Sequence, residues 1–104
     1  MQEINCIELK NMMDSEEDFQ LIDVREEYEV DIASIGGQLI PMGEVLEHLD
    51  KIAKDKKVIV YCRSGSRSGI IVQALSQNGF NNVYNLKGGI AAWSMEVDPA
   101  MPTY

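Results

Sequence analysis

Four apolar residues, Val58-Ile59-Val60-Tyr61, run straight into Cys62 and a polar loop, Arg63-Ser64-Gly65-Ser66-Arg67, after which an apolar pattern of helical spacing begins. No other stretch limits the fold as much. A β-branched run suits a pleated strand, and Gly65 lets the backbone turn tightly without a Cβ in the way. A strand-loop-helix unit of this kind sets one thiol at the mouth of a loop that opens a helix. Free N–H groups and the helix dipole both favour negative charge there. A thiol so placed ionises more readily than a free cysteine, and the thiolate is the nucleophile. The first expectation is therefore a cysteine-based transfer enzyme with Cys62 as the acceptor atom.

The remainder of the chain has to be consistent with that unit. At 104 residues it has room for one domain, 1–104, with a single core. A formal net charge of −8 disfavours nucleic acid or an anionic membrane as partner. Against that background Arg63 and Arg67 form a local basic spot, with no carboxylate between Cys62 and Gly79. A small anionic ligand suits such a spot better than a polyanion. The two cysteines, Cys6 and Cys62, do not make a disulfide framework. One histidine, His48, and no C-x-x-C leave too few soft ligands for zinc, so no metal and no cofactor are expected. His48 reads as a surface residue rather than a catalytic base. The N-terminus lacks a basic, then apolar, leader pattern, and no apolar run approaches the roughly 20 residues that span a bilayer. A reducing, cytoplasmic setting is the expectation.

In chain order, Ile4-Asn5-Cys6-Ile7 reads as a short first strand holding Cys6 as a buried hydrophobe, with a helical turn over 8–13. Residues 19–24 read as a second strand that ends on Asp23, followed by Arg25 and a short helix over 26–32. Arg25 and Glu29 are four apart and are expected to pair. A short strand over 38–40 stops at Pro41, and Val45, Leu46, Leu49, Ile52 and Ala53 predict an amphipathic helix over 43–54. The helix after the loop covers 68–77 and stops at Asn78-Gly79. A connector and strand over 80–86 and a helix from Ile90 to Trp93 come next. The tail 98–104 is expected to be extended and to lie on the surface. Strands alternating with helices predict an α/β domain with a mostly parallel sheet. Ligands then bind beyond the carboxyl ends of the strands, where Asp23, Arg25 and Cys62 can share one mouth.

The loop itself narrows the chemistry. Successive N–H groups can point inward around the Cys62 sulfur, and Ser64, Ser66 and Ser68 add hydroxyl donors. Such a nest holds a thiolate without a neighbouring base, and equally the charge of a Cys–S–S⁻ persulfide. From Cys62 to Arg67 the loop is Cys-x4-Arg, six residues inclusive. Cysteine phosphatases use a Cys-x5-Arg loop that makes room for a tetrahedral phosphate. The shorter loop suits something smaller, such as a terminal sulfur.

Taken together, Leu21-Ile22-Asp23-Val24-Arg25 with Glu29, Ile35-Gly36-Gly37 to Ile40-Pro41, Val60 to Ser68, and Asn85-Leu86-Lys87-Gly88-Gly89-Ile90 with Trp93 resemble a rhodanese-type sulfurtransferase domain over nearly the whole chain. The resemblance implies a rhodanese-like, five-stranded, mostly parallel sheet with helices on both faces. It implies that Cys62 carries a sulfane sulfur as a persulfide, with Arg63, Ser64, Gly65, Ser66 and Arg67 as the active-site loop. Asp23 and Arg25, supported by Glu29, match the pair that braces the entrance. The partners implied are a small anionic sulfur donor such as thiosulfate, or a protein persulfide. The acceptor would be cyanide, a thiol or dithiol, or a partner protein. Asp98-Pro99-x2-Pro102-x-Tyr104 and Glu29-Val30-Asp31-Ile32 resemble most the rhodanese domains of enzymes that activate sulfur-carrier proteins, which adds such a carrier to the partners. Where the family has Gly-His, this chain has Ala33-Ser34, and the turn that follows is one residue shorter. Two other readings stand beside this one: a binding module that kept the fold without catalysis, and a cysteine-based phosphatase or arsenate reductase.

Overall fold

The computed structural model describes all 104 residues. Five strands, β1 (Glu3–Ile4), β2 (Gln20–Asp23), β3 (Gln38–Leu39), β4 (Val58–Tyr61) and β5 (Val83–Leu86), alternate with four helices. The helices are α1 (Cys6–Asp14), α2 (Glu27–Ile32), α3 (Ser66–Gln77) and α4 (Gly89–Glu96). The strands form one parallel sheet in the order β1-β5-β4-β2-β3. This is the α/β architecture expected.

β4 lies at the centre of the sheet and is buried along its whole length. Its period-2 alternation divides the interior. Val58, Val60 and Cys62 face one core with Ile22, Val24, Ile71, Val72 and Leu75. Ile59 and Tyr61 face the other, with Cys6, Leu9, Leu86, Ile90 and Trp93. The two cysteines therefore sit on opposite faces of the sheet. Register sets the functional end of the molecule: Asp23 of β2 pairs with Tyr61 of β4. The segments that leave these two strands, through Arg25 and Cys62, thus start side by side at the carboxyl edge.

Three local expectations give way. The first strand stops at Ile4, because Asn5 and Glu8 form a reciprocal capping box and start α1 at Cys6. Two orphan N–H groups are satisfied that way, which a continued strand would leave open. The amphipathic helix over 43–54 is replaced by two short 3₁₀ helices, Met42–Glu47 and Leu49–Lys51, broken at His48. Here the Gln20 side chain takes the Ala53 N–H at 2.8 Å, a group a continuous helix would use for itself, and donates to the Lys51 carbonyl at 2.8 Å. Finally, the tail does not lie on the surface throughout. Pro102 and Thr103 are exposed, but Tyr104 turns inward onto α2 and packs against the second core.

Candidate active site

The loop from Cys62 to Arg67 joins the carboxyl end of β4 to the amino end of α3. Gly65 caps that helix with φ +100°, a left-handed conformation that L side chains rarely adopt. This turn aims its N–H at the Cys62 Sγ, 3.1 Å away. The Ser68 N–H reaches the same sulfur at 3.4 Å and the Ser68 hydroxyl at 3.3 Å. No histidine or carboxylate contacts it. Cys62 is 1% exposed, so the sulfur lies on the floor of the cradle. Burial pushes the thiol up. The Ser68 hydroxyl and N–H and the N–H groups of Gly65 and Ser64 outweigh that, and the balance holds Cys62 below the ordinary thiol value. Of the three serine hydroxyls expected as donors, only that of Ser68 reaches the sulfur; those of Ser64 and Ser66 face each other at 3.3 Å.

Asn85 of β5 fixes this arrangement, and nothing in the sequence pattern singled it out for that work. Its Nδ2 donates to the Gly65 carbonyl at 3.2 Å, and its Oδ1 lies 2.5 Å from the Ser68 hydroxyl. The amide so holds both the turn and the hydroxyl. α4 closes the cradle from below. Its Ile90 and Ala91 N–H groups donate to the Cys62 and Arg63 carbonyls at 3.0 and 2.9 Å. That approach demands glycine at 89: a Cβ there would lie 2.5 Å from both carbonyl oxygens.

The charged residues divide into two sets. Arg67, at the end of the loop, makes a two-pronged pair with Glu29, Nη1 to Oε2 at 2.7 Å and Nη2 to Oε1 at 2.8 Å. The Arg67 guanidinium is the main reason that the Glu29 carboxyl falls to about 2, against the opposing effect of burial; Glu26 N–H and Tyr104 add to the fall. Arg25 does not pair with the Glu29 carboxylate as its spacing predicts. It binds the Glu29 carbonyl at 3.3 Å and the Asp23 carboxylate through Nε and Nη2 at 2.8–3.1 Å. Nη2 also donates to the Ala33 carbonyl at 2.8 Å. Asp23 and Arg25 are 2% and 0% exposed, and beyond each other the Arg25 side chain is held by Glu29, Ala33 and Tyr104. Tyr104 joins the two sets: its hydroxyl accepts from Arg25 Nη1 at 2.7 Å and donates to Glu29 Oε1 at 3.0 Å. Arg63 alone stays exposed, with its guanidinium 4.7 Å from the centre of the Tyr104 ring.

A parallel α/β sheet with a cysteine thiolate cradled by loop N–H groups at the carboxyl end of its central strand defines a class of proteins that can hold a charge on sulfur without a general base. The Rhodanese-like domain profile matches residues 6–96, and the chain belongs to that family. It is 39% identical over 100 residues to the probable adenylyltransferase/sulfurtransferase MoeZ of Mycobacterium tuberculosis, covering 93% of this chain but 26% of MoeZ. The chain thus spans about a quarter of that relative's length. It is 38% identical over 93 residues to a sulfurtransferase of Allochromatium vinosum, covering 88% of this chain and 87% of that one. Among solved structures, a rhodanese-related protein of Thermoplasma volcanium superposes with a TM-score of 0.83 at 34% identity, over 93% of this chain and 94% of the other.

Proposed function

We propose that the protein is a sulfurtransferase in which Cys62 carries the sulfur. The observation that carries this reading is the Cys62 sulfur with hydrogen-bond donors on it and a lowered ionisation. The sulfurtransferase names of relatives that match along most of this chain support it. With thiosulfate as donor, the Cys62 thiolate attacks the outer sulfur, the S–S bond of thiosulfate breaks, and sulfite leaves with the electron pair. The persulfide Cys62–S–S⁻ then occupies the cradle. Cyanide or a thiolate attacks its outer sulfur, and Cys62 leaves as the thiolate it was at the start.

Roles follow for the other residues. Gly65, Ser64, Ser66 and Ser68 shape and supply the N–H cradle, and Arg63 draws the anionic donor. Arg67 is held by Glu29, which with Asp23 and Arg25 fixes the loop rather than meeting the donor. A thiophilic partner protein, including a sulfur carrier, stays among the acceptors through the resemblance and through relatives such as MoeZ. The reducing cytoplasm is the setting in which such a thiol works. No helix is long and apolar enough to cross a membrane.

The test is intact mass after incubation with thiosulfate. The wild type should gain one sulfur atom, lost again on addition of a reductant, and Cys62→Ser should gain none. A wild type that stays unmodified with thiosulfate and with persulfide donors defeats the proposal.

A further inference from the structure

Beside the loop lies a cavity of about 340 Å³ that the cradle chemistry leaves unused. Ile90, Ala91 and Met95 of α4 form one side, Pro102 and Tyr104 of the tail form the other, and Arg63 stands at the junction with the loop. Its position is fixed by bonds already described. The Ile90 and Ala91 N–H groups are tied to the Cys62 and Arg63 carbonyls, and Tyr104 is tied to Glu29, the partner of Arg67. The cavity therefore adjoins the Arg63 end of the loop.

Its chemistry is mixed in a specific way. The walls are largely apolar, no acidic side chain lines the cavity, and the one charged side chain is Arg63. Arg25 and Arg67 are each engaged with a carboxylate, whereas Arg63 makes no ion pair and rests on the Tyr104 ring. On a chain of net charge −8 this is a basic point in an apolar pocket. A guanidinium with free donors suits a carboxylate, and a volume of this size fits a small organic molecule. Thiosulfate is too small and too polar to need the apolar walls, and the N–H cradle already suits it.

We infer that this cavity is a subsite for the sulfur acceptor, taking an aliphatic thiol that bears a carboxylate, with Arg63 on the carboxylate and Ile90, Met95 and Tyr104 around the chain. The inference rests on the sulfurtransferase reading above. The acceptor thiolate attacks the outer sulfur of the persulfide Cys62–S–S⁻. The new S–S bond forms as the old one breaks, Cys62 leaves as thiolate with the electron pair, and the transferred sulfur keeps its negative charge. No external oxidant or reductant is required.

The test compares ω-mercaptooctanoate with its uncharged amide as acceptor, on protein already loaded at Cys62. The acid should show a KM about tenfold below that of the amide, the size of a charge-assisted hydrogen bond. Arg63→Gln should erase that ratio, and so should Met95→Glu, which places a negative charge at a side chain 79% exposed and so does not disturb the core. Octanoate binding, followed by calorimetry on unloaded protein, should weaken about tenfold in both variants. That measurement needs no turnover, so it separates failure of the subsite from failure of persulfide chemistry. Equal KM values for acid and amide in the wild type overturn the inference. A change confined to the thiosulfate KM also overturns it, by making the cavity a donor site. So does binding of a short peptide with a free C-terminal carboxylate but not of octanoate, which would give the cavity to a partner's chain end.

Discussion

Cys62 and Cys6 are buried to the same degree, 1% and 0% exposed, on opposite faces of one sheet, yet their thiols are driven in opposite directions. Cys6 lies in α1, and its Sγ is a donor, 3.7 Å from the Gly89 carbonyl. Burial, with the Glu96 charge added, pushes it up to about 11. Cys62 is buried too, but it accepts hydrogen bonds where Cys6 donates one, and it falls below the ordinary value. Burial alone thus makes a cysteine inert. A turn that points N–H groups at the sulfur makes it a nucleophile.

Gly89 lies between the two sites, with its carbonyl facing Cys6 and its Cα against the Cys62–Arg63 peptide. Gly89→Ala should therefore break both sides of the contrast. The added Cβ meets backbone that cannot move freely and sits at φ +58°, so a loss of roughly 2–4 kcal/mol is expected from overpacking and backbone strain. Chemical denaturation reads the stability, and persulfide loading should fail with it.

Glu29→Gln acts on the Cys62 side only. Losing the charged half of the pair with Arg67 should lower stability by about 2 kcal/mol, the scale of hydrogen bonds to charged groups. The pH dependence carries its sign. A carboxyl lowered from 4.5 to about 2 on folding adds stability that is complete above pH 4.5 and is lost as pH falls toward 2. An acid-unfolding series should show that slope in the wild type and lose it in Glu29→Gln.

Ser68→Ala sharpens the contrast further, since Ser68 has one hydroxyl proton and two acceptors, Cys62 Sγ and Asn85 Oδ1. Loading at neutral pH should slow about tenfold and its pH profile should move upward, as expected when a charged sulfur loses a donor. An unmoved profile would assign the proton to Asn85 and the thiolate to the backbone N–H groups alone. Cys6→Ala is the smallest change. It should lower stability by roughly 1 kcal/mol through a small cavity and leave loading of Cys62 as it was.

A parallel sheet was readable from strands alternating with helices, and the cradle from local signals: a β-branched run, a cysteine at its end, a glycine in the following turn. Asp23, Arg25, Glu29 and Arg67 were also in view, but not how they pair. Spacing placed Arg25 beside Glu29, whereas Arg25 takes the carboxylate of Asp23, two residues before it, and a tertiary contact gives Glu29 to Arg67, 38 residues away. Asn85 and Tyr104 lie 17 and 75 residues from the groups they hold, Ser68 and Glu29, beyond the reach of any periodicity. The capping box at Asn5 and Glu8 was a local signal that the alternation over 4–7 masked. At the end of the segment 43–54, the Gln20 side chain arrives from β2 to take groups of residues 51 and 53, a contact no local pattern shows.

The most direct measurement titrates each thiol alone by its thiolate ultraviolet absorbance, Cys62 in Cys6→Ser and Cys6 in Cys62→Ser. Cys62 should ionise below 9.0, and Cys6 at about 11. If Cys62 instead ionises at or above 9.0, the cradle does not overcome burial, and the contrast between the two cysteines is lost.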